Sequence, residues 1–148
     1  MTSTPTCYFA YGSNLSAARL RGRAPSAVRR GVARAPGFAL RLDKRGADGS
    51  AKANIHPAAG GVVWGAVYAL DPEDWPRLDA CERDYARIAI DVWMGEKPMR
   101  VHTYRSDLLI EDAVAFEWYK QLILDGAREH GLPEEWRAVL EALPARER

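Results

Sequence analysis

Cysteine is nearly missing from this chain. Cys7 and Cys81 are the only two in 148 residues, with no CxxC motif and no zinc-type pairing, so neither a disulfide framework nor a structural metal is expected. Histidine is almost as scarce: His56, His102 and His130 share no metal-ligand spacing, and no metal site is expected. No stretch approaches the roughly 18 consecutive apolar residues of a membrane span, and residues 1–6 contain no basic segment running into an apolar one. The expectation is therefore a soluble, cytoplasmic protein with no membrane partner. Ser13 lacks a Gly-x-Ser-x-Gly setting and a placed His–Asp pair, which sets serine-hydrolase chemistry aside. No repeat, low-complexity tract or linker divides the sequence, and 47% apolar residues can bury a real core. Residues 1–148 read as one domain.

What is present is unevenly distributed. The net charge of +1 hides a basic front third, since residues 1–52 carry ten Lys/Arg against two acids and the remainder eleven against eighteen. Arg19, Arg21, Arg23, Arg29, Arg30 and Arg34 lack the interleaved aromatics of a stacking platform, so no nucleic-acid partner is expected. The reading preferred here is that basic and acidic parts of one fold offset each other, with some excess available to attract an anionic substrate.

Patterning gives a mixed α+β order. Cys7 to Tyr11 reads as a short buried strand, followed by a helix over Leu15 to Arg23 with Asn14 or Ser16 as its cap. Val28 to Ala35 and Phe38 to Asp43 read as two strands separated by a Pro36-Gly37 turn, and Asp43 to Ser50 as a polar, mobile loop. Ala53 to His56 is a brief strand and Val62 to Leu70 a stronger one, rich in Val, Trp and Tyr. Asp71-Pro72-Glu73-Asp74 starts a helix that ends at Glu82. Arg87 to Met94 and Met99 to Arg105 flank a hairpin turn at Gly95-Glu96-Lys97-Pro98. Apolar residues at helical spacing then predict a helix over Glu111 to Ala127 and a shorter one after Pro133.

One segment points to chemistry. In Tyr8-Phe9-Ala10-Tyr11-Gly12-Ser13-Asn14-Leu15 an apolar strand meets a tight Gly-Ser-Asn turn and then a helix start. The first N–H groups of such a helix have no internal acceptor and can hold an anion or a developing oxyanion. Glu82, distant in sequence at the end of Leu78-Asp79-Ala80-Cys81-Glu82, could complete the site as a base. Asp79, three residues earlier, is open to two readings: a structural acceptor, or a charge that raises the Glu82 pKa. Cys81 as a nucleophile with His102 as base is disfavoured, because adjacent helical side chains diverge by about 100°.

These pieces carry a resemblance. YFAYGSNL at Tyr8 to Leu15, Pro25-Ser26-Ala27, VWGAVYAL at Val63 to Leu70, LDACE at Leu78 to Glu82 and YKQLILDGAREHGLP at Tyr119 to Pro133 occur in order along nearly the whole chain. That ordered set resembles the γ-glutamylcyclotransferases, the AIG2-like proteins. The resemblance implies a small mixed β-barrel flanked by helices, a γ-glutamyl small-molecule substrate, release of 5-oxoproline, no cofactor and a place in glutathione metabolism. It implies Glu82 as general acid/base, with Tyr8, Phe9, Ala10, Tyr11, Gly12, Ser13, Asn14, Tyr85 and Tyr119 contacting substrate. Relatives include dimers, so a homodimer is among the allowed assemblies.

Two departures bear on substrate choice. The family often has glycine after the Glu, whereas here Arg83 and Asp84 lead to Tyr85; Arg83 paired with Glu82 would lower its pKa and weaken it as a base, and paired with Asp84 would not. The glutathione-specific branch usually has a tryptophan-containing loop without Asn, so Asn14-Leu15 argues against that branch. Two alternatives stay open. One is removal of a γ-glutamyl group from a biosynthetic or carrier-bound intermediate, favoured by a wide cavity mouth near Asp43 to Ser50; the other is a binding module that keeps the pocket but has lost turnover through Arg83, favoured by an Arg83–Glu82 ion pair.

Overall fold

Five strands close on themselves in the computed structural model, which describes residues 6–112 and 114–147. They are β1 (Thr6–Ala10), β2 (Val28–Arg45), β3 (Ala51–Leu70), β4 (Ala86–Met94) and β5 (Lys97–Arg105), in the barrel order β1-β3-β2-β4-β5. Closure is parallel, with Tyr8 of β1 opposite His102 of β5, while the other pairings are antiparallel. Closing the sheet removes its free edges. A small parallel pair, β6 (Ala115–Phe116) with β7 (Ala145–Arg146), was not expected from sequence.

Helices α1 (Ala17–Arg23), α2 (Trp75–Cys81), α3 (Glu117–Glu129) and α4 (Glu134–Glu141) accompany the barrel. Ser16 caps α1 by accepting from the Arg19 N–H, leaving Asn14 free for other contacts. Asp71 makes no side-chain cap; residues 72–74 form a 3₁₀ turn before α2, and Glu82 is the residue that ends α2. α3 begins at Glu117 rather than Glu111, after β6, and Ala113 lies outside the described residues.

The larger correction concerns β2 and β3. Pro36-Gly37 is not a turn between two strands. Pro36 pairs with Val62 and Phe38 with Pro57, so the segment is a bulge inside one continuous ladder. Gly37 and Gly60 take left-handed φ values of 86° and 80° on the two strands of that bulge. The polar loop likewise shrinks to residues 46–50, closed by Gly46 N–H donating to the Ser50 carbonyl and by Ser50 donating to Asp48.

The core fills the barrel with Phe9, Ile55, Val63, Val67 and Val92, all fully buried. β1 lies so close to β3 that a Cβ at Gly65 would come within 2.2 Å of the Ala10 carbonyl and 2.9 Å of the Phe9 ring. Trp75 on α2 packs edge-on against Tyr8 and His102 and donates to Thr6 Oγ1, which fixes α2, and so Glu82, against β1. Among the described residues no helix is long and apolar enough to cross a membrane.

Candidate active site

β1 ends at Ala10, and the chain passes through Tyr11 and Gly12 into a 3₁₀ turn at Ser13–Leu15. Leu15 N–H donates to the Gly12 carbonyl at 3.0 Å, which leaves the first N–H groups of the turn without an intrahelical acceptor. Helix α3 presses directly on this turn. A Cβ at Gly126 would sit 2.5 Å from Leu15 Cβ and 3.1 Å from the Ser16 nitrogen, so glycine permits the contact. Seven residues earlier on the same helix face, two turns away, Tyr119 reaches over the turn; its hydroxyl would lie 3.8 Å from a Cβ at Gly12.

A narrow recess of about 30 Å³ opens here, lined by Tyr8, Tyr11, Gly12, Ser13, Asn14, Ala53, Glu82, Tyr85, Tyr104 and Tyr119. Five of the ten are tyrosines. Tyr119 accepts the Ala53 N–H at 2.9 Å and Tyr85 donates to the Ala53 carbonyl at 2.5 Å, so the two clasp one residue of β3. Tyr11 donates to the Tyr104 carbonyl and Tyr104 to Asp79 Oδ1, both at 2.6 Å. Burial pushes all five phenols up, Tyr119 to about 12 and the others further. They are neutral hydrogen-bonding groups at physiological pH.

Glu82 is the acid in this recess. Its Oε1 accepts from Asn14 Nδ2 at 2.6 Å and from Arg23 Nη1 at 3.3 Å. Arg23 also donates to Asn14 Oδ1 at 3.3 Å, which fixes the amide with its nitrogen towards the carboxylate, and Asn14 donates in turn to Tyr8 Oη at 3.1 Å. Both contacts to Glu82 fall on Oε1. Oε2 has no protein donor among the described residues. Burial raises the Glu82 pKa, and Arg23, Asn14, Arg19 and Lys44 pull it back only in part. The arrangement holds one carboxylate oxygen fixed and presents the other, at raised basicity, to the cavity.

Of the residues expected at the site, Glu82, Tyr8, Tyr11, Gly12, Ser13, Asn14, Tyr85 and Tyr119 line the recess together. Phe9 and Ala10 do not. Both are fully buried, and it is the Phe9 ring and the Ala10 carbonyl that face Gly65, where β1 packs on β3. The cation on Glu82 is Arg23 rather than Arg83, which makes no ion pair among the described residues. Asp79 takes the structural role, accepting from Tyr104 and lying 3.7 Å from Arg87. Cys81 is exposed. Sequence reasoning missed Tyr104, Ala53 and Arg23, since their approach to the turn comes from barrel closure and from the end of α1. The three histidines lie apart: His56 against Asp43, His102 beside Trp75, and His130 under Leu15.

Fold and site together define a class of small mixed barrel in which a part-buried carboxylate is clamped to a strand–glycine–3₁₀ turn. The AIG2-like family model matches residues 62–140. The chain is 34% identical over 151 residues to "Gamma-glutamylcyclotransferase" of Mus musculus, covering 95% of this chain and 79% of that protein. It is likewise 34% identical over 147 residues to the Homo sapiens protein of that name, covering 92% and 77%. A solved structure described as "Gamma-glutamyl cyclotransferase" superposes with a TM-score of 0.88 at 29% identity, over 97% of this chain and 90% of that one. A yeast cyclotransferase described as specific to glutathione superposes at 0.70 with 12% identity, over 93% and 94%, a likeness of fold alone. The chain belongs to the AIG2-like family of γ-glutamylcyclotransferase relatives.

Proposed function

We propose that the protein converts a γ-glutamyl amino acid or γ-glutamyl amine to 5-oxoproline and the free amino acid or amine, with Glu82 as general acid/base and no cofactor. The observation that carries this reading is the asymmetry at Glu82, whose Oε1 is anchored by Asn14 and Arg23 while Oε2 has no protein donor among the described residues. The names of the relatives point to the same reaction.

The chemistry asks little of the protein beyond orientation and proton transfer, because nucleophile and electrophile belong to one substrate. Glu82 takes a proton from the substrate α-ammonium, and the freed amine attacks the γ-carbonyl carbon, forming the new C–N bond of the five-membered ring. The tetrahedral intermediate places negative charge on the carbonyl oxygen. Glu82 delivers its proton to the departing nitrogen, the original C–N bond breaks, and the carboxylate takes the second proton from the ring nitrogen. Two protons pass from the attacking to the leaving nitrogen overall, and none is left on Glu82 once the free amine has taken the second. Backbone N–H groups at Gly12, Ser13 and Asn14 would hold the α-carboxylate or the oxyanion, each such donor being worth on the order of 2.7–4 kcal/mol in the transition state.

The test is incubation with γ-glutamyl-alanine and γ-glutamyl-lysine, with 5-oxoproline as readout. Glu82→Gln should keep the shape of the site and lose about a hundredfold or more in rate; no turnover of any γ-glutamyl compound by the unaltered protein would remove the proposal. A second reading, deprotection of a larger γ-glutamylated intermediate, is favoured by the width of the outer cleft, about 300 Å³ and lined in part by Lys44, Gly46 and Ala47. The inactive-module reading loses its support, since it rested on an Arg83–Glu82 pair and Glu82 pairs with Arg23 instead.

A further inference from the structure

The outer cleft shares Ser13, Glu82, Tyr85 and Tyr119 with the recess and so adjoins it; a group leaving a carbonyl held in the recess would have this cleft beside it. Its walls carry five basic residues, Arg19, Arg23, Lys44, Lys52 and Arg83, against two acidic ones, Glu82 and Asp84. Some of that charge is matched internally, because Arg23 pairs with Glu82 and Lys52 with Asp48 at 3.3 Å. Lys44 and Arg19 are different. Lys44 is 5% exposed, with its ammonium 4.8 Å from the centre of the Tyr85 ring, and it makes no ion pair or side-chain hydrogen bond among the described residues. Arg19 makes no ion pair there either, and its Nε is buried with no acceptor.

Asp84 and Glu82 attract Lys44, and Glu82 attracts Arg19, only from beyond ion-pair distance; burying a cation without a close partner is unfavourable, and the cost is recovered where a ligand brings the opposite charge. Lys44 stands at the end of β2 and Arg19 on α1, so the two cations come from separate elements onto one cleft. A departing amine with a single positive charge would meet repulsion from both. One with a single carboxylate would engage one of them.

We infer that the outer cleft is a leaving-group subsite selective for departing amines with two carboxylates, an acidic amino acid, and that Lys44 is its specificity-determining residue. This rests on the cyclisation reading of Glu82 and adds the class of leaving group to it. Arg19 supplies the second positive contact, and the Tyr85 ring keeps the Lys44 ammonium directed at the cleft.

The test uses two isosteric compounds, γ-glutamyl-glutamate and γ-glutamyl-glutamine, which differ by one carboxylate. Binding is measured by calorimetry on Glu82→Gln protein, and cyclisation on protein with Glu82 intact. The glutamate compound should bind about tenfold or more tightly than the glutamine compound, the scale of one charge-assisted contact. That ratio should fall to about threefold or less when Lys44→Met or Lys44→Gln is added, survive Lys44→Arg, and shrink in about 0.5 M salt. Equal affinity, a preference for glutamine, absence of binding by either compound, or a ratio unchanged in the Lys44→Met and Lys44→Gln proteins would overturn the assignment. Selective binding without cyclisation would leave the subsite standing and remove the reaction. Cyclisation without selectivity would do the reverse.

Discussion

Two titratable side chains touch successive residues of the same turn, Glu82 at Asn14 and His130 at Leu15, and the fold treats them in opposite ways. His130 is 6% exposed and satisfied at both ring nitrogens. Arg29 Nε donates to its Nδ1 at 2.9 Å, so the ring proton sits on Nε2, which donates to the Leu15 carbonyl at 2.6 Å beside Tyr68 Oη at 2.9 Å. No valence is left for a substrate. Glu82 is anchored through one oxygen, desolvated enough to raise its pKa, and open at the other oxygen. A buried polar group with every partner inside the protein is a strut; one with a partner missing on the cavity side is available for chemistry.

The sharpest way to test that contrast is to remove both protons' seats in turn. Glu82→Gln should cost about a hundredfold or more in turnover. His130→Gln should leave the pH dependence of turnover unchanged and lower the melting temperature, because Arg29 and Tyr68 lose a buried partner worth about 1–3 kcal/mol. Asn14→Leu comes next. It deletes the 2.6 Å contact to Glu82 and the one to Tyr8, so the Glu82 pKa should rise further, and kcat/KM should drop by about tenfold through loss of one charge-assisted bond. The acid limb of kcat/KM, which reports the free enzyme, should move to higher pH.

Arg23→Met should shift the same limb upward by removing the principal opposite charge, with the high-pH plateau altered by about threefold or less, as expected for a partly exposed pair. The smallest effect is on stability. A carboxyl raised above its unfolded value of 4.5 binds more protons folded than unfolded over the interval between the two values, so wild-type stability falls as pH climbs through that window. Glu82→Gln should therefore raise the melting temperature at pH 8 relative to wild type and lose that advantage below pH 4.5, measured by thermal unfolding at both.

Much of this architecture is legible in the residues. The strand–Gly-Ser-Asn turn, the Pro72 helix start that delivers Glu82, the β4–β5 hairpin and the two C-terminal helices follow from local chemistry that tertiary packing did not override. The bulged strands were not legible, because a turn and a bulge ask for the same residues. Pro36-Gly37 satisfies both, and only the partner strand continuing past it, Val62 opposite Pro36, decides. Tyr104 and Arg23 were missed for a related reason. Tyr104 enters by closure of β5 on β1, and Arg23 by the length of α1; no spacing in the sequence ties either to Glu82. Phe9 and Ala10 sit inside the motif yet do not line the recess: alternation sends the Phe9 ring away from Tyr8 and onto Gly65, while the Ala10 side chain is fully buried and its carbonyl faces the same glycine.

Helix α3 works as a gauge rod for the pocket. The same rigid cylinder that seats Tyr119 over Gly12 rests, two turns along, on Leu15 through Gly126, so the height of the roof above the floor depends on this close contact together with the Ala53 N–H that holds the Tyr119 hydroxyl. A methyl group inserted there, Gly126→Ala, would jack the helix off the turn and misalign roof and floor together without altering any atom that meets the substrate. Because misplacement by about an ångström can cost on the order of a hundredfold in rate, the tolerance of this catalyst is machined at a glycine that never touches the reaction.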